Sequence, residues 1–344
     1  MLQKTTLWAL VGVTFLVVAM YIAFQISQWP SVLYHRHHGR IRQIIDHSWF
    51  GLQRALERYA VTARLNERFD TNDPDAVLDF YYPSEVANTD RKLPTIVWVH
   101  GGGFTSGSKD GVAHYLTILA AKNYTVVGVN YSLAPGKIYP TPILQVNAAL
   151  TFLGKNAAGL HVDASRLFLA GDSAGAQIAA QLAAVITNSP YAKQMGVTPS
   201  IDRHQLKGVI LHCGLYDLRD GGEIRAAIAR SYLGTKDFTN DPRLEEFFVA
   251  RNITADFPPM FISVGNADRL ESQSQQLADT ATKLGVSVDT LFFQLATHRH
   301  YRMGTSSTSI LRPVGWRWNE PSDFWQVGHS SPGRSPAGAP RPIC

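Results

Sequence analysis

The sequence predicts an α/β fold in which a mostly parallel sheet is covered by helices on both faces. Apolar runs of strand length, such as Thr95–Val99 and Thr125–Val129, alternate with longer segments of helical spacing, such as Ala174–Ile186. This alternation is typical of parallel sheets whose strands are buried on both sides. The chain has 344 residues, 45% of them apolar. That is enough for one large catalytic domain with appendages.

The apolar patterns define the individual elements. The predicted strands are Val77–Tyr82, Thr95–Val99, Thr125–Val129, Arg166–Ala170, Val209–Cys213, Met260–Val264 and Val288–Phe293. The predicted helices are Val112–Lys122, Ile143–Leu153, Ala174–Ile186 and Ser272–Leu284, the last of them ended by Gly285 as a C-cap. Residues 220–257 match no sheet element and are expected to form part of a lid.

Charge and cysteine content exclude several classes of function. The net charge is +5, and no run of lysine or arginine suggests a nucleic-acid partner. The two cysteines, Cys213 in an apolar run and Cys344 at the end of the chain, indicate neither a disulfide framework nor a metal site. We therefore expect no metal and no organic cofactor.

An uncharged apolar segment occupies residues 7–24, after Lys4. Its 18 residues suffice to cross a bilayer core of roughly 30 Å. A cleaved signal peptide is the alternative, but the run ends without small residues of cleavage-site type, and Trp29 suits a membrane interface. We expect an N-terminal anchor over residues 1–29, in contact with lipid through 7–26. Arginines after the span weakly favour a cytoplasmic catalytic domain.

Residues 30–70 are basic and aromatic, and helical spacing extends over Ile41–Leu65. This segment is predicted to form cap or linker helices. The catalytic domain is then expected over 71–297, after the turn cluster Thr71–Asp75.

The pentapeptide Gly171-Asp172-Ser173-Ala174-Gly175 lies between a predicted strand and a predicted helix. A nucleophile elbow needs this context, because its turn is too tight for side chains at the two glycine positions. The helix begins at once, so the N–H of Ala174 points towards an oxyanion formed at Ser173. A chance loop of this composition is the alternative.

A second motif, His100-Gly101-Gly102-Gly103-Phe104, follows the strand Thr95–Val99. Three glycines allow the backbone to approach a substrate carbonyl and direct N–H groups at it. A phosphate-binding loop is the rival, but no Gly-Lys-Ser/Thr follows. His100 is expected to be a structural hydrogen-bonding group, since the base should follow the serine in this arrangement.

These two motifs, about 70 residues apart, together with Asn130-Tyr131-Ser132-Leu133-Ala134-Pro135, resemble the hormone-sensitive-lipase-like family of esterases over roughly residues 75–297. The resemblance implies the α/β-hydrolase fold with a small helical cap. It also implies that Gly102, Gly103 and Ala174 supply oxyanion N–H groups. The chain departs from the family at Ser132, where arginine is usual, and at Gly136, where glutamate is usual.

The catalytic acid is expected after a later strand. Asp268 follows Met260–Val264 in a stretch that resembles the family's Gly-x-x-Asp-x-Leu, and its role would be to orient the catalytic imidazole. A turn aspartate is the alternative, and Asp217 and Asp256 are less well placed. The base is expected after the last strand, where His298 and His300 lie 30 and 32 residues beyond Asp268.

The chain changes character at His298. Residues 298–344 contain six arginines, no lysine, six prolines and three of the seven tryptophans, with no periodic helix. In a reading frame shifted by one base, each new codon combines the third base of one original codon with the first two bases of the next. From Arg299 onwards, the codons possible for this sequence allow the shifted frame to encode the peptide PLPHGYQFNLDTPAGRLALER, which resembles the family's ending. We infer a one-base loss near codon 299. A genuine disordered extension is the alternative.

Together these residues predict a serine esterase or lipase-like hydrolase acting on a small apolar ester, with Ser173, His298 and Asp268 as the triad. A catalytically impaired homologue or small-ligand binding protein of the same fold is the second hypothesis, because fold does not fix function. An amidase or formamidase with the same triad is the third.

The reading-frame hypothesis is tested directly on the gene. Sequencing the coding DNA across codon 299 is expected to reveal a one-base deletion relative to close relatives. Relatives that encode the same arginine- and tryptophan-rich tail in frame would disprove it.

Overall fold

The computed structural model describes residues 49–292 apart from 220–221, and also positions 8, 11–19, 21–22, 27, 29 and 32–33. His298, His300 and the whole segment 298–344 lie outside the described residues, as do parts of the predicted anchor and linker. No helix formed by the described positions is both long and apolar enough to cross a membrane.

One eight-stranded sheet runs through the described part of the chain, in the order β1-β2-β4-β3-β5-β6-β7-β8. The strands are β1 Val61–Arg68, β2 Val77–Pro83, β3 Leu93–Val99, β4 Thr125–Val129, β5 Val162–Asp172, β6 Leu206–His212, β7 Met260–Val264 and β8 Val288–Phe292. β1 pairs antiparallel with β2 and β2 with β4, and every later pair is parallel. The predicted mostly parallel sheet is therefore confirmed.

Helices connect the parallel strands as the sequence predicts. They are α1 Trp49–Tyr59, α2 Ala113–Ala120, α3 Thr141–Asn156, α4 Ala174–Thr187, α5 Ser189–Gln194, α6 Gly222–Leu233, α7 Arg243–Phe247, α8 Val249–Asn252 and α9 Glu271–Lys283. α9 ends at Lys283, and Gly285 just beyond it has a φ of +82°, which only glycine adopts freely. The N–H of Val286 donates to the carbonyl of Ala281 at 3.0 Å, which closes the expected C-cap.

The helical prediction for residues 61–65 was wrong. Ala60 has a φ of +51°, which ends α1, and Val61–Arg68 is a strand paired with β2. The physical reason is that Val61, Ala63 and Leu65 also recur with the two-residue period of a strand. The sheet therefore begins at 61 and not after 71. A smaller correction concerns Cys213, which is buried as predicted but lies just beyond the end of β6.

α4 lies against the middle of the sheet and is buried along its whole length. Its many alanines allow this, because small side chains let the helix approach β5 and β6 closely. Two glutamines are also fully buried on it. Gln181 donates to the hydroxyl oxygens of Tyr139 and Tyr191 at 2.8 and 2.7 Å, so its amide joins α4 to two neighbouring tyrosines.

Residues 222–252, here called the cap, hold α6, α7 and α8 and correspond to most of the predicted lid segment. Phe248 is buried between two guanidinium groups, with Arg219 at 4.6 Å and Arg251 at 5.2 Å from its ring centre. Arg219 also pairs with Glu245 at 2.9 Å. Gln177 of α4 donates to the carbonyl of Phe247 at 3.3 Å. The cap is thus joined both to the loop after β6 and to α4.

Candidate active site

Ser173 stands at the tip of the sharp turn between β5 and α4, as the motif predicts. Its φ of 52° and ψ of −115° are unusual for a residue with a side chain. Such a conformation costs about 1–3 kcal/mol and persists only where the surroundings enforce it. The side chain is half-buried. The strain presents the hydroxyl at the carboxyl end of the sheet, which is where ligands bind in α/β folds.

The two glycines of the elbow are required by backbone packing. A Cβ at Gly171 would lie 2.5 Å from the carbonyl carbon of Gly175. A Cβ at Gly175 would lie 2.0 Å from the carbonyl oxygen of Val99, at the end of β3. Non-bonded heavy atoms do not approach each other this closely. The first turn of α4 therefore packs directly on the strand that leads into the glycine loop.

Backbone hydrogen bonds hold Ser173 in its strained conformation. Its N–H donates to the carbonyl of His212 at the end of β6, at 2.8 Å. Its carbonyl accepts from the N–H of Leu215 at 3.2 Å and from that of Gln177 at 3.2 Å. These bonds tie the nucleophile position to β6 and to the loop that follows it.

The glycine loop turns sharply at Gly102 and Gly103, which have φ values of +122° and +60°. A Cβ at Gly102 would lie 2.1 Å from the carbonyl oxygen of Ser106. The N–H of Ser106 donates back to the carbonyl of Gly102 at 3.0 Å and closes the turn. Within the described residues, no group accepts a hydrogen bond from the N–H of Gly102 or Gly103. Both donors are therefore available to a bound oxyanion.

The far side of the glycine loop is fixed by aromatic packing and a backbone bond. The Phe104 ring stacks on Tyr232 of the cap with 3.9 Å between ring centres. The carbonyl of Phe104 accepts from the N–H of Ala134 at 2.8 Å. A Cβ at Gly103 would lie 3.1 Å from the Ile228 side chain, so the cap covers the loop closely.

A buried ion pair holds the chain just after the loop, and sequence reasoning missed it. Lys109 and Asp79 have side chains that are each 2% exposed, with 2.9 Å between Nζ and the carboxylate. Asp79 also accepts from the N–H of Asn66 at 2.7 Å. A lone lysine after a loop gives no sign of this partner, which lies 30 residues earlier.

His100 has the structural role that the sequence suggests. Its Nδ1–H donates to the carbonyl of Gly101 at 2.7 Å, and its ring stacks on Tyr131 at 4.3 Å. Burial lowers the pKa of His100 to about 4. The imidazole therefore stays uncharged at neutral pH, and its Nδ1–H is used in the bond to Gly101. His100 is not placed to serve as the base.

Asp268 lies in the loop between β7 and α9, with its side chain half-buried. One carboxylate oxygen accepts from the N–H of Leu270 at 2.9 Å. Burial, followed by the charges of Asp172 and Asp268, raises the pKa of the Cys213 thiol. β7 runs parallel to β6, and β6 runs parallel to β5. The loop after β7, which holds Asp268, and the turn after β5, which holds Ser173, therefore lie at the same edge of the sheet.

The two rival aspartates are engaged elsewhere. Asp217 forms an ion pair with Arg219 at 2.9 Å. Asp256 is exposed and pairs with Arg203 at 2.8 Å. Both positions fit structural turns better than an active site.

Gln273 on α9 is a further residue that the sequence did not single out. Its Oε1 accepts from the N–H groups of Tyr216 and Asp217 at 2.8 and 2.9 Å, and its Nε2 donates to the carbonyl of Asp217 at 2.9 Å. The side chain is buried. It joins the helix after Asp268 to the loop that binds Ser173, so it links the Asp268 loop to the turn at Ser173.

A hydrogen-bond network that includes two aspartates surrounds Ser132, where the resembling family usually has arginine. The Ser132 hydroxyl donates to Asp75 at 2.7 Å, and its N–H donates to Gln145 Oε1 at 2.8 Å. Gln145 in turn donates to Asp73 at 2.5 Å. Ser132 is therefore tied to the segment before β2 and to α3.

Comparison with known proteins agrees with this geometry. The family profile described as alpha/beta hydrolase fold matches residues 96–302, more than half of the chain. The chain belongs to the α/β-hydrolase family. The fold and family predicted from the motifs are thereby confirmed. The match covers the glycine loop, the elbow and the acid loop of this α/β-hydrolase.

Solved structures of esterases share the fold. LipW from Mycobacterium marinum has a TM-score of 0.62 at 24% identity, covering 77% of this chain and 80% of its own. Esterase B from Lactobacillus rhamnosis has a TM-score of 0.61 at 23% identity, covering 76% and 84%. The Pyrobaculum calidifontis esterase has a TM-score of 0.58 at 20% identity, covering 80% and 88%.

The role of Gln273 is testable by stability. Gln273→Met removes three hydrogen bonds and leaves two buried N–H groups unpaired, which should lower the free energy of unfolding by about 2–4 kcal/mol. Gln275→Met is the matched control, because Gln275 is exposed on the same helix and should change it by less than about 0.5 kcal/mol. Urea denaturation measures both. Equal effects would mean that Gln273 does not hold the loop.

Proposed function

We propose that this α/β-hydrolase is a carboxylic ester hydrolase that forms an acyl-enzyme on Ser173. The observation that carries the proposal is the strained serine at an elbow whose helix packs against the strand leading into Gly102 and Gly103. Two backbone donors without an acceptor among the described residues then lie in the loop whose first residues contact this turn. This is the arrangement that acyl transfer needs.

The proposed reaction has two steps. Ser173 Oγ attacks the ester carbonyl carbon while a histidine takes its proton, and the N–H groups of Gly102, Gly103 and Ala174 stabilise the oxyanion. The tetrahedral intermediate expels the alcohol, which receives the proton. Water, activated by the same histidine, then attacks the acyl-enzyme and releases the acid. Asp268 orients the histidine and stabilises its charged form.

His298 is the proposed base in the chain as it stands, because it follows the last strand at the spacing expected after Asp268. The family match ends at residue 302, close to the change in composition at 298. This agrees with the proposal that the native ending has been replaced. On that proposal the family's own histidine is missing, and activity is impaired. The second candidate, a catalytically impaired homologue or ligand-binding protein, follows from the same observation.

The substrate is proposed to be a small apolar ester. Esterase B from Lactobacillus rhamnosis has also been crystallised with a tributyrin phosphonate inhibitor, and such a phosphonate is a suitable probe for Ser173 here. A panel of esters and amides of the same acid separates an esterase from an amidase or formamidase.

The N-terminal segment is proposed to hold the enzyme at a bilayer through residues 7–26. Alkaline carbonate extraction of cell membranes should leave the full chain in the pellet and release a version that starts at residue 49. Release of the full chain would contradict the anchor.

In the version with the restored reading frame, Ser173→Ala is expected to abolish labelling by a fluorophosphonate and to lower p-nitrophenyl ester hydrolysis by about 10⁴- to 10⁶-fold, because the nucleophile is removed. Ser165→Ala is the matched control. Ser165 is an exposed serine near the opposite end of β5 and should leave both readouts unchanged. A Ser173→Ala protein that is labelled like the parent would overturn the proposal.

The same assay applied to a version with the restored reading frame decides between the two candidates. A large gain in hydrolysis on restoration supports an impaired chain whose histidine has been lost. Strong labelling and hydrolysis by the chain as it stands support a working His298, and His298→Ala should then remove them.

A further inference from the structure

Asp172 precedes the nucleophile, yet the proposed reaction does not use its carboxyl group. Its Oδ1 accepts a hydrogen bond from the N–H of Gly101 at 3.1 Å and another from Trp98 Nε1 at 3.2 Å. Gly101 is the first glycine of the loop, and its partner in this bond lies 71 residues later in the chain. The carboxyl group therefore connects the elbow directly to the glycine loop.

The contact between Asp172 and Gly101 is tight. A Cβ at Gly101 would lie 2.3 Å from Asp172 Oδ2 and 2.9 Å from the Asp172 carbonyl oxygen. Gly101 must be glycine because this carboxyl group fills the space of a side chain. The peptide planes of Gly102 and Gly103 follow directly, so the direction of their N–H groups depends on where Gly101 is held.

We propose that Asp172 is a positioning residue for the oxyanion hole: through the Gly101 N–H, its carboxylate fixes the direction of the Gly102 and Gly103 donors relative to Ser173. This inference rests on the proposed hydrolase function and assigns a second residue of the elbow to it. A donor displaced by a few tenths of an ångström loses much of its effect on an oxyanion, because the site is useful only when it is preorganised.

Among the titratable groups compared in this paragraph, Asp172 is the one that changes charge near neutral pH. Burial raises the pKa of Asp172 to about 6. The titratable groups facing it from neighbouring elements remain uncharged between pH 5 and 8. Burial raises the pKa of Tyr115, Tyr131 and Cys213, and it lowers the pKa of His100 and His212 to about 4. Trp98 carries no charge. The carboxylate is therefore ionised above pH 7 and protonated below pH 5.

Kinetics per active site test the role. Asp172→Ala removes the acceptor and should lower kcat at least tenfold, with a smaller change in KM, when rates are divided by the phosphonate-titrated concentration of Ser173. Asp172→Asn keeps an acceptor oxygen of the same shape and should rescue most of the loss. Trp98→Phe removes the other donor to the same oxygen and leaves the Gly101 bond intact, so its kcat should fall less than that of Asp172→Ala. Equal kcat per titrated site in Asp172→Ala and the parent overturns the proposal, even if its thermal stability is lower.

A nuclear magnetic resonance measurement tests the bond without catalysis. Labelling with carbonyl-¹³C histidine and ¹⁵N glycine selects the glycines that follow a histidine, which are Gly39 and Gly101. The amide proton of Gly101 should move upfield as the pH falls through about 6, because a charge-assisted hydrogen bond weakens when the carboxylate is protonated. The movement should vanish in Asp172→Asn.

A Gly101 signal that does not move with pH overturns the Asp172 proposal. Failure of both the unaltered chain and the version with the restored reading frame to react with the phosphonate overturns the hydrolase proposal, so the two failures are distinguishable.

Discussion

The active site depends on one close contact, between the carbonyl group at the end of β3 and the first turn of α4. Any side chain at Gly175 would overlap the carbonyl oxygen of Val99, and any side chain at Gly171 would overlap Gly175 itself. Because the helix can approach this closely, its start and the glycine loop lie side by side. A side chain at either position would push the turn that carries Ser173 away from the end of β3, since packed interiors do not absorb such volumes without movement.

Polar side chains then fix the parts of the site against one another. Asp172 joins the elbow to the glycine loop, and Gln273 joins α9 to the loop after β6. The buried pair of Lys109 and Asp79 holds the chain where it leaves the glycine loop. Each of these groups forms hydrogen bonds to backbone or to a buried partner, as is usual for buried polar groups. They give a strained serine the rigid frame that it needs.

The sequence was sufficient for the fold and for the strand-to-helix turn at Ser173 because both are specified locally. A tight strand-to-helix turn restricts its own five residues, and buried parallel strands leave continuous apolar runs. The partners of Asp172, Gln273 and Lys109 were not predictable, because they lie 71, 57 and 30 residues away and tertiary packing chooses them. The strand at Val61–Arg68 was assigned as helix because its short apolar pattern fits both periods, and only pairing with β2 decides between them. His298 lies beyond the described residues and stays a prediction.

The contacts of the cap have a consequence for which substitutions this protein can accept there. Tyr232 and Ile228 of the cap rest on the glycine loop, while Phe247 binds a glutamine one turn beyond the nucleophile. The cap and the glycine loop are therefore parts of a single packed body. Exchange of segment 222–252 for that of a distant relative would replace the surface beside the glycine loop and at the same time remove contacts that hold this loop. Substitutions in the cap that keep the Phe104–Tyr232 stack leave that support in place.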